Sequence, residues 1–150
     1  MQISGTMFLN GFMHMLEVSH IVAIDMEGKT WRKILRPPGP AMSIHGDQGS
    51  KCLCIVDIFN TSNLSIWILE GYGTSKWTLR HMVNTLQLFG LNNIGLSSEA
   101  ANVDYRVIAV HLEWNLIFLV GEDSTLMAYD MSHIKVHVLP ARVVRYPKST

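Results

Sequence analysis

Charge is scarce in this sequence, and neither sign is in excess. Of 150 residues, 12 are Lys or Arg and 12 are Asp or Glu, so charged residues are 16% of the chain and the formal net charge is zero. An average soluble domain carries about 25%. A balanced chain casts no long-range field that would gather nucleic acid or an anionic membrane, so neither partner is expected. Cysteine is nearly absent. The only two, Cys52 and Cys54, are one residue apart, which puts them on one face of a strand with too little chain between them for an ordinary disulfide. No second Cys/His pair stands at zinc spacing, so reduced core thiols are expected rather than ligands. Long apolar runs are missing too, and none approaches the roughly 20 residues that span a bilayer. The opening MQISGTMFLNGFMHML lacks the basic start and unbroken apolar stretch of a signal peptide. A cytoplasmic or nuclear location is therefore expected, and the sequons at Asn60 and Asn63 read as polar loop triplets.

What the sequence does have is apolar residues, at 48%, enough for a globular core and too many for a disordered chain. A chain of this length suits one domain that buries about 70% of its unfolded surface. The apolar residues come in short β-like runs between turn residues. Residues 20–25 and 30–35 flank a Gly28 turn, a hairpin signature. Residues 51–57, 64–70 and 76–83 form a second group, and residues 105–111, 116–120, 126–130 and 135–139 a third. Pro37, Pro38 and Pro40 cannot donate to a sheet ladder, so 36–40 reads as a loop.

These groups repeat. Asp25 and Glu70 end strand-like runs 45 residues apart, Trp31 and Trp77 open the following runs 46 apart, and the segment 126–131 resembles 21–26. A period near 45 made of antiparallel strands is that of a four-stranded propeller blade. The next interval, Glu70 to Asp130, is 60 residues; its excess falls in a Gly-, Asn- and Ser-rich stretch at about 88–102 that reads as an inserted loop. Leu79, Met82, Val83, Leu86 and Phe89 have helical spacing, with Gly90 able to end the helix. Trp77, Leu79, His81 and Val83 alternate as in a strand. The expectation is a strand to about Val83, then one short helical turn near 84–89. The fold expected is all-β: one domain over 1–150, a partial β-propeller of about three antiparallel blades at approximately 5–36, 43–83 and 103–140.

The run from Ile24 through Gly28 and Trp31 to Ile34, the run Leu64-Ser65-Ile66-Trp67-Ile68-Leu69-Glu70, and the later Trp77-Thr78-Leu79-Arg80-His81 resemble plant F-box-associated propeller domains, closest to the large grass-type set. The likeness covers about residues 5–140. It implies a protein-binding propeller that captures the substrate of an SCF ubiquitin ligase. No helical F-box motif precedes the first strand-like segment, so docking on the SCF adaptor is not expected, and the resemblance implies substrate-side binding only. Three blades are fewer than the four to eight of a closed propeller. Open faces or edges of such a fold favour pairing with another chain, as in a fragment or half of an assembly.

Candidate chemistry is thin. The seven histidines, His14, His20, His45, His81, His111, His133 and His137, include no HExxH or HxH, and there is no G-x-S-x-G, G-x-G-x-x-G or Walker spacing. His133 and His137 would align on a helix, but 135–139 alternates as a strand. No metal, cofactor or catalytic set is expected. Asp25, Glu70 and Asp130 recur with the repeat and read as strand-end caps; Glu122 and Asp123 read as a hairpin tip. Lys29, Arg32, Lys33 and Arg36, with Arg142, Arg145 and Lys148, read as charges that guard an outer strand against edge pairing. Trp31 and Trp77 are expected between blades and Trp67 in the core. Trp114, after Glu113 at a turn, is the best single candidate for contact with a protein partner, although an indole's area favours burial. Two rival readings are a structural fragment without a partner and an enzyme using His111 with Glu113.

Overall fold

Short alternating apolar segments become strands throughout the chain, as described here by a computed structural model. The described residues are 5–37, 42–59, 63–71, 73–84, 88, 105–121, 124–142, 145 and 147. Among them are twelve strands: β1 (Thr6–Leu9), β2 (Phe12–Leu16), β3 (His20–Asp25), β4 (Trp31–Leu35), β5 (Met42–Asp47), β6 (Cys52–Phe59), β7 (Asn63–Gly71), β8 (Lys76–Asn84), β9 (Tyr105–His111), β10 (Leu116–Gly121), β11 (Leu126–Asp130) and β12 (Lys135–Val138). They form three four-stranded antiparallel sheets, each a meander in which every strand pairs with its sequence neighbour. The fold is all-β and blade-like. The expected helical turn near 84–89 and the inserted loop near 88–102 lie outside the described residues, apart from Asn84, which ends β8, and buried Leu88.

The sheets stack face to face in chain order, with β5 lying against both β1 and β9. Gly46 permits a close approach: a Cβ there would stand 3.0 Å from the Met7 Cγ of β1. Two cores result. Leu9, Leu16, Ile21, Ala23 and Ile34 of the first sheet meet Ile44, Leu53, Ile55 and Leu69 of the second. Cys54, Val56, Leu64, Ile66 and Val83 meet Val107, Val110, Ile117, Leu119, Met127 and Tyr129 of the third. The β6 strand feeds both, since successive side chains point to opposite faces. That explains why residues 53–57 are all buried and why 52–56 is a continuous apolar run rather than an alternation. Both cysteines are free thiols, and burial pushes the Cys54 thiol up to about 12, so it stays neutral and unreactive.

The repeat has a physical basis in its turns. Each third strand carries a carboxylate at or next to its end that bonds the turn or strand beyond it. Asp25 accepts from the Thr30 hydroxyl and from the Lys29 and Thr30 amides. Glu70 accepts from the Thr78 hydroxyl and pairs with Lys76 at 3.6 Å. Asp130 accepts from the Ser132 amide at 2.9 Å and bonds His133 at 2.7 Å. These bonds, led by Thr30, Thr78 and His133 respectively, hold all three carboxyls below the usual range. The other recurring element is a left-handed residue in equivalent turns: Asn10, Lys51 and Asn115 between first and second strands, and Gly28, Ser75 and Ile134 between third and fourth.

Ile134 is the costly one. A β-branched residue at φ 51° sits where its Cβ crowds the following carbonyl, at about 1–2 kcal/mol. Its side chain is 54% exposed, so little packing offsets the strain. Ile134→Gly is expected to stabilise the protein by about 1 kcal/mol after the added unfolded-state entropy of glycine. A rise in the urea midpoint at unchanged slope checks this; a fall would mean that packing outweighs the conformational cost.

The structure corrects one expectation for the tryptophans. Trp77 does lie between sheets, its Nε1 donating to Leu35 O at 2.7 Å while Ser75 Oγ accepts from Leu35 N at 3.1 Å. Trp31 does not, and is 63% exposed. The two are equivalent in register, opposite Ile24 and Leu69 respectively. The difference is position in the stack: the face of the second sheet bearing Trp77 covers the first sheet, while no described sheet covers the face bearing Trp31. Trp67 is half-buried against the first core.

Candidate functional site

The turns after β9 and β11 leave the same end of the third sheet, and together with β8 they build the most structured polar surface among the described residues. Asn115 is its hub. Its left-handed φ of 53° suits asparagine better than most residues, and it turns the carboxamide outward. Asn115 Oδ1 accepts from Arg80 Nη2 at 2.8 Å, and Nδ2 donates to Ser132 Oγ at 2.9 Å. Its backbone carbonyl accepts from Met131 N at 2.8 Å. Arg80, His81, Asn115, Met131 and Ser132 line a shallow cleft of about 190 Å³ between the second and third sheets. That volume is below the roughly 300 Å³ at which small-molecule pockets begin.

Beneath the cleft, Tyr129 Oη lies 2.7 Å from His81 Nε2. Burial raises the phenol to about 12, while burial and then the Arg80 charge lower the imidazole. A neutral imidazole and a neutral phenol share this hydrogen bond, whose direction follows the His81 tautomer. The pair is a satisfied inter-sheet bond, since both groups are shifted away from exchanging a proton near neutrality.

Trp114 stands beside this network. Its indole stacks on His111 with ring centroids 4.2 Å apart and planes 10° from parallel, and its backbone N–H donates to His111 Nδ1 at 3.4 Å. One face is thus held and the rest open, leaving the residue 68% exposed. The burial that its area favours is not achieved, because the turn projects it beyond both sheets. No family model matches the chain, and no curated protein matches it significantly. Function is therefore argued from this surface.

The other candidates disperse. His111 and Glu113 are not joined: the imidazole faces Trp114, and the Glu113 carboxylate points toward Gly49 in the turn after β5. His14 and His45 are buried; His14 Nδ1 contacts Met7 O at 3.1 Å, and His45 Nε2 contacts Ser43 Oγ at 2.8 Å. His133 pairs with Asp130. Among the described residues, no three His, Cys, Asp or Glu side chains converge as a metal-ligating group, and no helix is long and apolar enough to cross a membrane. Three of the basic residues in the first sheet and the segment after it have separate partners. Lys29 pairs with Glu27 at 3.4 Å, Arg32 lies over the Phe12 ring at 5.2 Å, and Arg36 Nη1 donates to Glu17 O at 3.2 Å. Glu122, Asp123 and Lys148 lie outside the described residues. Sequence reasoning singled out Trp114 but missed Arg80, Asn115 and Ser132. The available signal was an Asn at a hairpin turn, where a left-handed backbone favours it.

Proposed function

We propose that this chain is a non-catalytic protein-recognition module whose contact surface centres on Trp114. The observation that carries the reading is an exposed indole already oriented by stacking on His111, next to the bonded Arg80–Asn115–Ser132 polar set. A large rigid aromatic loses little conformational entropy on binding, and Trp and Arg dominate binding hot spots. The neighbouring cleft is too small to enclose a substrate. The sequence resemblance to plant F-box-associated domains supports a role on the substrate side of a ubiquitin ligase, with adaptor docking supplied by an F-box outside these strands.

The test compares capture from plant extract by the unaltered chain and by Trp114→Ala, then titrates the enriched protein against both. Loss of the indole is expected to weaken binding about 30-fold, or about 2 kcal/mol, while Lys29→Ala in the first sheet leaves affinity unchanged. Equal affinity for Trp114→Ala overturns the assignment. Recovery of no specific protein favours a structural fragment without a partner.

A further inference from the structure

Among the described residues, two sheet faces at opposite ends of the stack have no sheet over them, and each is half of an interface the molecule already makes twice. On the first sheet, Phe8, Met13, Ile24 and Trp31 stand opposite one another across all four strands. Met15 and Val22 pair in the adjacent row, between Thr6 and Lys33. The equivalent rows of the third sheet, Val110-Ile117-Tyr129-Val136 and Val107-Leu119-Met127, pack on the second sheet, while Val138 at the end of the second row is 66% exposed. On the second sheet, the same face carries Ile44, Leu53, Ile55, Leu69 and Trp77 and packs on the first. In the first sheet no described sheet covers this face: Phe8 is 54% and Trp31 63% exposed, with Met13, Met15, Val22 and Ile24 half-buried between them. These two rings alone offer on the order of 250 Å² of aromatic surface, since each such side chain spans 150–250 Å².

At the other end of the stack, no sheet among the described residues covers the complementary face. Ala23, two residues before the Asp25 cap, lies in the buried face of the first sheet that receives the second. Its counterpart Ala128, two before Asp130, lies between Phe118 and His137 and is shielded by its own sheet, at 7% exposure. Around it Phe118 is half-exposed, and Ile108 and Leu126 are 42% and 36% exposed.

We propose that the outer face of the third sheet of one copy packs on the outer face of the first sheet of a second copy, and the reverse, closing a six-bladed ring. The occupant follows from continuity of the stack: the Trp31 face has the register of two faces that each seat on a preceding sheet of this chain. Head-to-tail contacts either close or propagate. Two copies give six blades, within the range of closed propellers, and three give nine, outside it. Lys33 does not oppose the contact, because its second-sheet counterpart Leu79 is 41% exposed and a lysine there keeps its ammonium in water. The inference is independent of Trp114.

Sedimentation equilibrium of the purified full chain at tens of micromolar tests this, with Trp31→Glu and Phe118→Glu as variants and circular dichroism to verify that each stays folded. The unaltered chain is expected at twice the chain mass, and each folded variant at the chain mass. A monomeric unaltered chain, as when further sheets of a longer protein cover these faces, overturns the proposal. So does an open-ended ladder of species. Dissociation by Trp31→Glu but not by Phe118→Glu overturns it as well, since that pattern marks like faces pairing. Should either glutamate variant unfold, Trp31→Ser and Phe118→Ser are read in its place, with the same expected masses.

Discussion

Tyr129→Ala is expected to destabilise the protein by about 4 kcal/mol, enough to leave a large unfolded fraction. Truncating a buried aromatic to alanine removes its transfer free energy and leaves a cavity, together about 3–5 kcal/mol, against a total stability of only 5–15 kcal/mol for a domain. Tyr129 is fully buried, is the largest of the fully inaccessible side chains, and fills the core shared by the second and third sheets. Its loss also leaves His81 Nε2 without the phenol. Tyr129→Phe separates the two effects: the ring stays, and only the hydrogen bond is lost, for about 1 kcal/mol. Urea unfolding of the three proteins measures both. A Tyr129→Ala cost no greater than that of Tyr129→Phe would show that the ring does not hold the two sheets together.

The second large effect is an acid lability set by His45. The side chain lies in β5 at 7% exposure, and burial lowers its pKa from 6.5 to about 4. The folded state therefore binds fewer protons than the unfolded chain between those values. Stability is fully present above pH 6.5 and falls as pH drops to about 4, by about 3 kcal/mol at 1.36 kcal/mol per unit. His14 is lowered by burial and acts with the same sign. Asp57 acts oppositely: burial raises its carboxyl, partly offset by Arg36, so its contribution falls as pH rises from 3.8 through its folded value. Unfolding free energy measured from pH 7.5 to 4 should slope steeply for the native chain and much less for His45→Gln. An unchanged slope in that variant would assign the lability elsewhere.

Much of this architecture was legible because its determinants are local. The Asp25, Glu70 and Asp130 carboxylates recur at fixed places before their turns; Asp25 and Asp130 bond turn amides, while Glu70 bonds Thr78 of the next strand. The buried β6 strand was readable from an unbroken apolar run, and the free thiols from their spacing. The first hairpin was harder to delimit, because β1 and β2 are methionine-rich and Thr6 is their one β-branched residue. Its clearest signal was Asn10-Gly11, with both φ angles positive, as a two-residue hairpin turn requires. What the sequence could not reveal was neighbourhood. Trp31 and Trp77 have the same register and opposite fates, because burial depends on whether another sheet lies alongside. The Arg80–Asn115–Ser132 set joins residues 35 and 17 positions apart, across a junction that neither periodicity nor composition describes.

Strictly sequential strand order has a kinetic consequence. Each meander closes through short local connections, so pairing within a sheet requires little loop-closure entropy, and this all-β chain should assemble faster than folds that join distant strands. The rate-limiting step then shifts to docking of preformed sheets. The central one, covered on both sides, is the natural nucleus on which its two neighbours condense.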